Sequence, residues 1–222
     1  MSYNWEVIGQ SGLQFYGKMS ASISHEFKNV LAIINENAGL LEDFTLLAKK
    51  GRPFELERLN PVTERVMKQV RRADGIIKRM NTFAHSIDQS DTKIDLNETL
   101  ELVVALSERF VAMRGVNIVK TFHPIPVMIT RRPFFLQNLI WLCLNFAMDA
   151  VGDEKTLGLV TEETKEGARV IFTNLKALTS GSPMDTFPAE QEKALLSLLN
   201  AQLATDLEAV ELIITFARDI RR

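Results

Sequence analysis

His25 is the residue best placed to do chemistry in this chain, and its neighbours decide which chemistry. It stands in Ser22-Ile23-Ser24-His25-Glu26-Phe27-Lys28-Asn29, within a stretch from Gly17 to Lys49 that has no proline and one interior glycine, Gly39. Such a stretch predicts a helix. With Ile23 at zero and about 100° per residue, Phe27, Val30, Ile34 and Leu41 all fall within about 40° of it and form an inward stripe. On the same wheel His25 falls near about 200°, Asn29 near 240° and Ser22 near 260°, away from the stripe, with Glu26 near 300° at its edge. An outward imidazole is a competent nucleophile near neutral pH, and an adjacent carboxylate can orient it or take its proton.

The elements that must hold this group begin with two long helices. Gly51-Arg52-Pro53 breaks the first, and Asn60-Pro61 opens a second that runs to about Ile87. Its apolar residues, Val62, Val66, Val70, Ala73, Ile77, Met80, Ala84 and Ile87, step by three and four and predict one buried face. Two such helices make an antiparallel hairpin roughly 40–50 Å long. A hairpin has few elements of its own to cover its stripe, so a second copy completing a four-helix bundle is expected.

Ser90-Asp91-Thr92-Lys93 reads as a linker, which places a first domain at residues 1–92 and a second at 93–222. Beyond the linker, helical patterns over Asn97–Met113, Pro133–Val151 and Glu190–Gln202 alternate with β-like runs. Those runs are Val116–Phe122, Leu157–Thr161, Ala168–Asn174 and Val210–Ala217. The expected class is α+β: a helical hairpin followed by a two-layer α/β sandwich.

Composition narrows the function. The 222 residues are 46% hydrophobic and 24% charged, ordinary for a folded protein. Lys and Arg total 26 against 28 Asp and Glu, a net charge of −2, which argues against a broad nucleic-acid or anionic-membrane footprint. The single cysteine, Cys143, cannot close an intramolecular disulfide, and no Cys/His spacing resembles a zinc site. The longest uncharged stretch, Pro133–Met148, is interrupted by Gln137, Asn138 and Asn145 and is shorter than the roughly 20 residues a spanning helix needs. No secretory signal opens the chain. No metal, no membrane insertion and a cytoplasmic location are expected.

The Ser22–Asn29 segment resembles the H-box of histidine kinases, with His25 at the phospho-acceptor position. The resemblance runs through the hairpin to about Ile87, the family's dimerisation and histidine-phosphotransfer domain. It extends more loosely over Asp95–Ala217, in the element order of the family's ATP-binding domain. One departure is Val30, where the family commonly has proline. The resemblance implies a homodimer, a response-regulator receiver domain as partner, and His25, Glu26 and Asn29 as site residues. Glu26 and Asn29 also match a phosphatase motif of the family, in which the Asn orients a water at the receiver's acyl phosphate.

The second domain departs further. Leu136–Ala150 resembles the family's asparagine box, but Leu142 and Phe146 stand where the magnesium-binding asparagines would align. Asn138 and Asn145 are the remaining candidates for a cofactor contact. The later glycines, Gly152, Gly158, Gly167 and Gly181, are dispersed, whereas phosphate cradling needs clustered glycines or a nest of N–H groups. Ser180–Pro188 leads straight into the following helix and leaves no room for a lid. ATP is therefore not expected as a cofactor, and magnesium is expected on the partner receiver. A chain that keeps the acceptor and loses the nucleotide resembles the degenerate-kinase histidine phosphotransferases of the ChpT and sporulation kind.

That resemblance implies a phosphorelay carrier. The alternatives are a sensor-kinase catalytic core with a divergent ATP site, or a non-catalytic pseudokinase that docks a receiver. Arg71-Arg72 and Lys78-Arg79 read as a solvated basic face or as a contact for an acidic receiver. His85 is a secondary acceptor candidate, and His123 reads as a strand-end loop residue.

Overall fold

The structure, a computed structural model, describes residues 3–51, 56–180 and 187–217. The break at Gly51-Arg52-Pro53 and the lid-free connection Ser180–Pro188 lie largely outside the described residues. By contact the chain divides into two compact units, residues 20–82 and residues 1–19 with 83–222. The first residues of the chain thus group with the sheet-bearing unit, where the linker had suggested a boundary at residue 92.

The unit of residues 20–82 contains most of α1 (Trp5–Lys49) and α2 (Leu59–His85). Helix α1 begins earlier than its apolar pattern and ends at Lys49, just ahead of Gly51, whose φ of +68° suits a glycine after the last turn. Buried positions recur every seven residues on both helices: Ile23, Val30 and Asn37 on α1, Val62, Gln69 and Ile76 on α2. A seven-residue repeat is that of helices packed side by side. On α1 the expected stripe holds: Ile23 and Val30 are buried, and Phe27, Ile34 and Leu41 half-buried.

On α2 the expected face needs correction. Val62 is buried, but Val70, Ile77 and Met80 are each 45% exposed and Ile87 is exposed, while Gln69 and Ile76 take the inside. The helix carries two adjacent apolar stripes: with Val62 at zero, the inward Gln69 and Ile76 fall near about 340° and 320°, and the outward Val70 and Ile77 near about 80° and 60°.

In the other unit, a short 3₁₀ turn (Ser86–Asp88) precedes β1 (Thr92–Asp95), so half of the expected linker is strand. Strand β1 pairs antiparallel with β3 (Met128–Arg131). Between them lie α3 (Leu96–Leu106), α4 (Glu108–Arg114) and β2 (Asn117–Thr121). Asp95 caps α3, its Oδ1 accepting from the Asn97 N–H at 3.0 Å and from the Val127 N–H at 3.1 Å. The single helix expected over Asn97–Met113 is interrupted at Ser107, whose Oγ donates back to the Val103 carbonyl at 2.6 Å.

Helix α5 (Pro133–Ala150) starts on proline at its first position and is buried on nearly every face. It is followed by β4 (Thr156–Thr164), β5 (Gly167–Thr173), α6 (Glu190–Leu198), β6 (Ala201–Asp206) and β7 (Glu211–Ala217). The five-stranded sheet has the order β2-β4-β5-β7-β6, parallel only between β2 and β4. Leu212, Ile214 and Phe216 alternate inward on β7, the period-two burial of a sheet covered on one face. The start of α1 is fixed to α5 by an aromatic cluster: Phe15 lies 5.4 Å from Phe83 and 5.6 Å from Phe134 between ring centroids. Beside it, the buried Asn138 Nδ2 donates to Ser11 Oγ at 3.0 Å.

Candidate functional site around His25

Helix α1 presents His25 to solvent, as its wheel position requires, with Ile23 and the fully buried Val30 holding the opposite face inward. Asn29, one turn on, brings its amide nitrogen to 3.4 Å from His25 Nδ1. Rotated by half a turn, the same amide offers its oxygen to an Nδ1–H, the tautomer that leaves the Nε2 lone pair free. Among the described residues Nε2 has no protein partner. With the amide so turned, one ring nitrogen is held and the other is open, a state in which an imidazole can act as a nucleophile.

Glu26 does something other than expected. Its carboxylate is largely covered, and Oε1 accepts from Arg79 Nη2 at 3.2 Å and Arg72 Nη2 at 3.4 Å. The side chain within reach of the imidazole is that of Asn29, and Glu26 is engaged by two guanidinium groups of α2. The sequence carried a signal for this: Arg72 and Arg79 are seven residues apart, which puts them about 20° apart on one helical face. Their basic pairs were legible, but their convergence on Glu26 depends on the register of α1 against α2.

The other histidines lie elsewhere in the fold. His85 ends α2, strongly exposed, with Nδ1 3.7 Å from Asp88 Oδ2. His123 is held in its loop: its N–H donates to Thr161 Oγ1 at 2.8 Å, and Nδ1 accepts from the Ile125 N–H at 3.3 Å. Asn97 also donates from Nδ2 to its carbonyl at 3.0 Å.

In the sheet-bearing unit, Asn138 is completely buried on Ser11. Asn145 Oδ1 accepts from Arg114 Nη2 at 3.0 Å, and the same guanidinium donates from Nε to Asp149 Oδ1 at 2.7 Å. Arg114, at the end of α4, thus places a side-chain cation on the two oxygen-bearing residues of this part of α5. One turn of sequence from Leu142, Phe146 stacks on Phe187. Gly158 has a packing reason: a Cβ there would come within 2.1 Å of Thr173 Oγ1 on the paired strand. Cys143 is fully buried, and burial, with a smaller contribution from Glu192, pushes its thiol far above the ordinary range, where it is inert as a nucleophile. Among the described residues no cluster of His, Cys, Asp and Glu is arranged to hold a metal ion, and no helix is long and apolar enough to cross a membrane.

No protein-family model matches the chain, and a search of curated proteins finds no match. Among solved structures the chain is similar to the catalytic domain of the histidine kinase ThkA, at 13% identity over 59% of this chain and 98% of that one, with a TM-score of 0.47. It is similar to the Acinetobacter baumannii histidine kinase AdeS at 11% identity, covering 83% and 96%, with a TM-score of 0.46. It is also similar to ThkA in complex with the response regulator TrrA, at 16% identity over 93% of this chain and 63% of that one, with a TM-score of 0.47.

Proposed function

We propose that the chain is a two-component phosphorelay protein, a histidine phosphotransferase that carries a phosphoryl group on His25 to or from a response-regulator aspartate without using ATP. The observation that carries this reading is the solvent-facing imidazole of His25, held at Nδ1 by Asn29 and open at Nε2. In the forward step the Nε2 lone pair attacks phosphorus of the receiver's aspartyl phosphate, the P–O bond breaks, and the aspartate leaves as carboxylate. Asn29 keeps the ring in register, and a magnesium ion bound by the receiver would supply charge neutralisation for the transferring group. Reversal regenerates the free imidazole on the next receiver.

The absence of an ATP step is part of the proposal. Its support is the occupied state of α5: Asn145 and Asp149 are engaged by Arg114, Asn138 is buried on Ser11, and Phe146 is stacked. A cytoplasmic homodimer is also proposed. Its support is the second apolar stripe of α2, where Met67, Val70, Ile77 and Met80 are exposed in the single chain.

The test is transfer of ³²P from a phosphorylated receiver domain. Wild type should take label and His25→Ala should take none while remaining folded, since the side chain is exposed on the outer face of α1. Equal labelling of the variant would remove the carrier reading and leave receiver docking without chemistry. Autophosphorylation from Mg-ATP would make the chain a kinase core instead.

A further inference from the structure

We propose that Arg72 and Arg79 are the phosphoryl-binding residues of the His25 site, held in reserve by Glu26; the inference rests on the phosphorelay reading of His25. Both guanidinium groups come from one face of α2 and converge on a single oxygen, Glu26 Oε1, at 3.4 and 3.2 Å. One carboxylate facing two guanidinium groups leaves an excess of one positive charge at the residue adjoining His25. Each arginine gives Glu26 one hydrogen bond, out of five N–H donors per guanidinium. The arginine side chains are 44% and 31% exposed, and ion pairs that open to water are individually weak, so a change of partner is easy.

Phosphorylation supplies the new partner. A phosphoryl group brings about −1.5 to −2 charges and three strong acceptor oxygens, and guanidinium groups bind it in bidentate fashion. Glu26 then acts as an anchor that pre-positions two cations and competes with the phosphoryl group for them. That competition fixes the sign of its effect. Removing the arginines should slow phosphorylation of His25, and weakening Glu26 should speed it.

The experiment uses the full chain and potassium phosphoramidate as the phosphoryl donor, with formation of phosphohistidine followed by ³¹P NMR. In this reaction the His25 Nε2 lone pair attacks phosphorus, the P–N bond breaks, and ammonia leaves with the bonding pair. Replacing both arginines by glutamine (R72Q with R79Q) should lower the labelling rate about a hundredfold, the low end of the loss expected when a transition-state charge contact is removed. The double lysine variant (R72K with R79K) should recover part of that rate, because charge returns without the planar fork. Glu26→Gln should raise the rate above wild type. Wild-type labelling in the double glutamine variant overturns the proposal and leaves the role of His25 standing. Equal slowing by Glu26→Gln and by the double glutamine variant also overturns it, since that is the signature of a merely structural ion pair. If wild type takes no label, the carrier reading itself falls and this proposal with it.

Discussion

Phe146 lies parallel to Phe187, ring centroids 4.0 Å apart and planes within 9°. Phe146 occupies the α5 position where the resemblance to histidine kinases puts a metal-binding asparagine, and a phenyl ring offers a cation no lone pair. Two residues flanking it, Asn145 and Asp149, are bonded to the Arg114 guanidinium. A hydrocarbon stack and an internal cation thus occupy this part of α5.

The first prediction follows from that stack. Calorimetric titration with millimolar Mg-ATP should give no binding heat. Phe146→Asn alone should not create binding, because Arg114 still holds Asn145 and Asp149. A clear isotherm for wild type would overturn the reading of α5.

A second concerns the exposed stripe of α2. Ile77→Asp should leave the fold of the single chain intact, within about 0.5 kcal/mol, because the side chain is 45% exposed. It should nonetheless convert the dimer to monomer in sedimentation equilibrium at tens of micromolar. Ile76→Asp, one residue away and 1% exposed, should instead unfold the hairpin, since it buries an unpaired charge. A wild-type monomer at these concentrations would refute the dimer.

Asn29 gives a third. Because its amide lies 3.4 Å from His25 Nδ1, Asn29→Ala should lower phosphotransfer to His25 about tenfold by freeing the ring to rotate. Receiver dephosphorylation should slow further still if Asn29 also orients the attacking water. Rapid-quench rates for both reactions on one preparation would separate the two effects, and an unchanged transfer rate would dismiss the orienting role.

The β6–β7 hairpin predicts a pH effect. Glu211 pairs across from Asp206, and partial burial, followed by the charges of Asp206 and Glu162, raises its carboxyl above the usual range. The folded state therefore binds a proton more tightly than the unfolded chain. Glu211's contribution to stability is full below the ordinary carboxylate pKa and is lost as pH rises through the raised value. Glu211→Gln should flatten this part of the profile, leaving the variant's Tm higher relative to wild type at pH 7 than at pH 4. A constant Tm difference across that range would contradict it.

Cys143 supplies a control on the core. Fully buried, with its thiol pushed up by desolvation, it should resist Ellman's reagent in the native protein and react at once in denaturant. Rapid reaction under native conditions would show that α5 opens.

Much of this was legible in the residues. The outward placement of His25 and Asn29 needed only the helical period, and α5 announced itself by a long uncharged, largely apolar run opened by proline. What escaped was set by partners distant in sequence. The beginning of α1 carries Gly9, Gly12 and Gly17, which weaken its helical pattern. Gly12 has a tertiary reason, since a Cβ there would come 3.1 Å from the Phe134 ring. Strands β1 and β3 have four residues each, too few for a period-two pattern to declare itself. The helical pattern over Glu190–Gln202 runs into the first two residues of β6 because Leu198-Leu199 continues the apolar pattern, and the rest of β6 carries no strand signal. The turn out of the helix is made by Asn200 at φ +47°, a left-handed conformation that asparagine tolerates. The phase of α2 was ambiguous in principle: two apolar stripes are written on one helix, and only the packing against α1 shows which is inside.

The anchoring of Ser11 and Phe15 against α5 has a consequence for how the protein is made. Ser11 and Asn138 are 127 residues apart in the chain, so the start of α1 leaves the ribosome long before its partners exist. At about 5–20 residues per second, the side chains of Ile8, Phe15 and Met19, all buried in the finished protein, wait roughly 6–25 s for Phe134 and Asn138 to be synthesised. During translation this apolar surface stays uncovered until α5 has been made, and a nascent-chain chaperone would find it there.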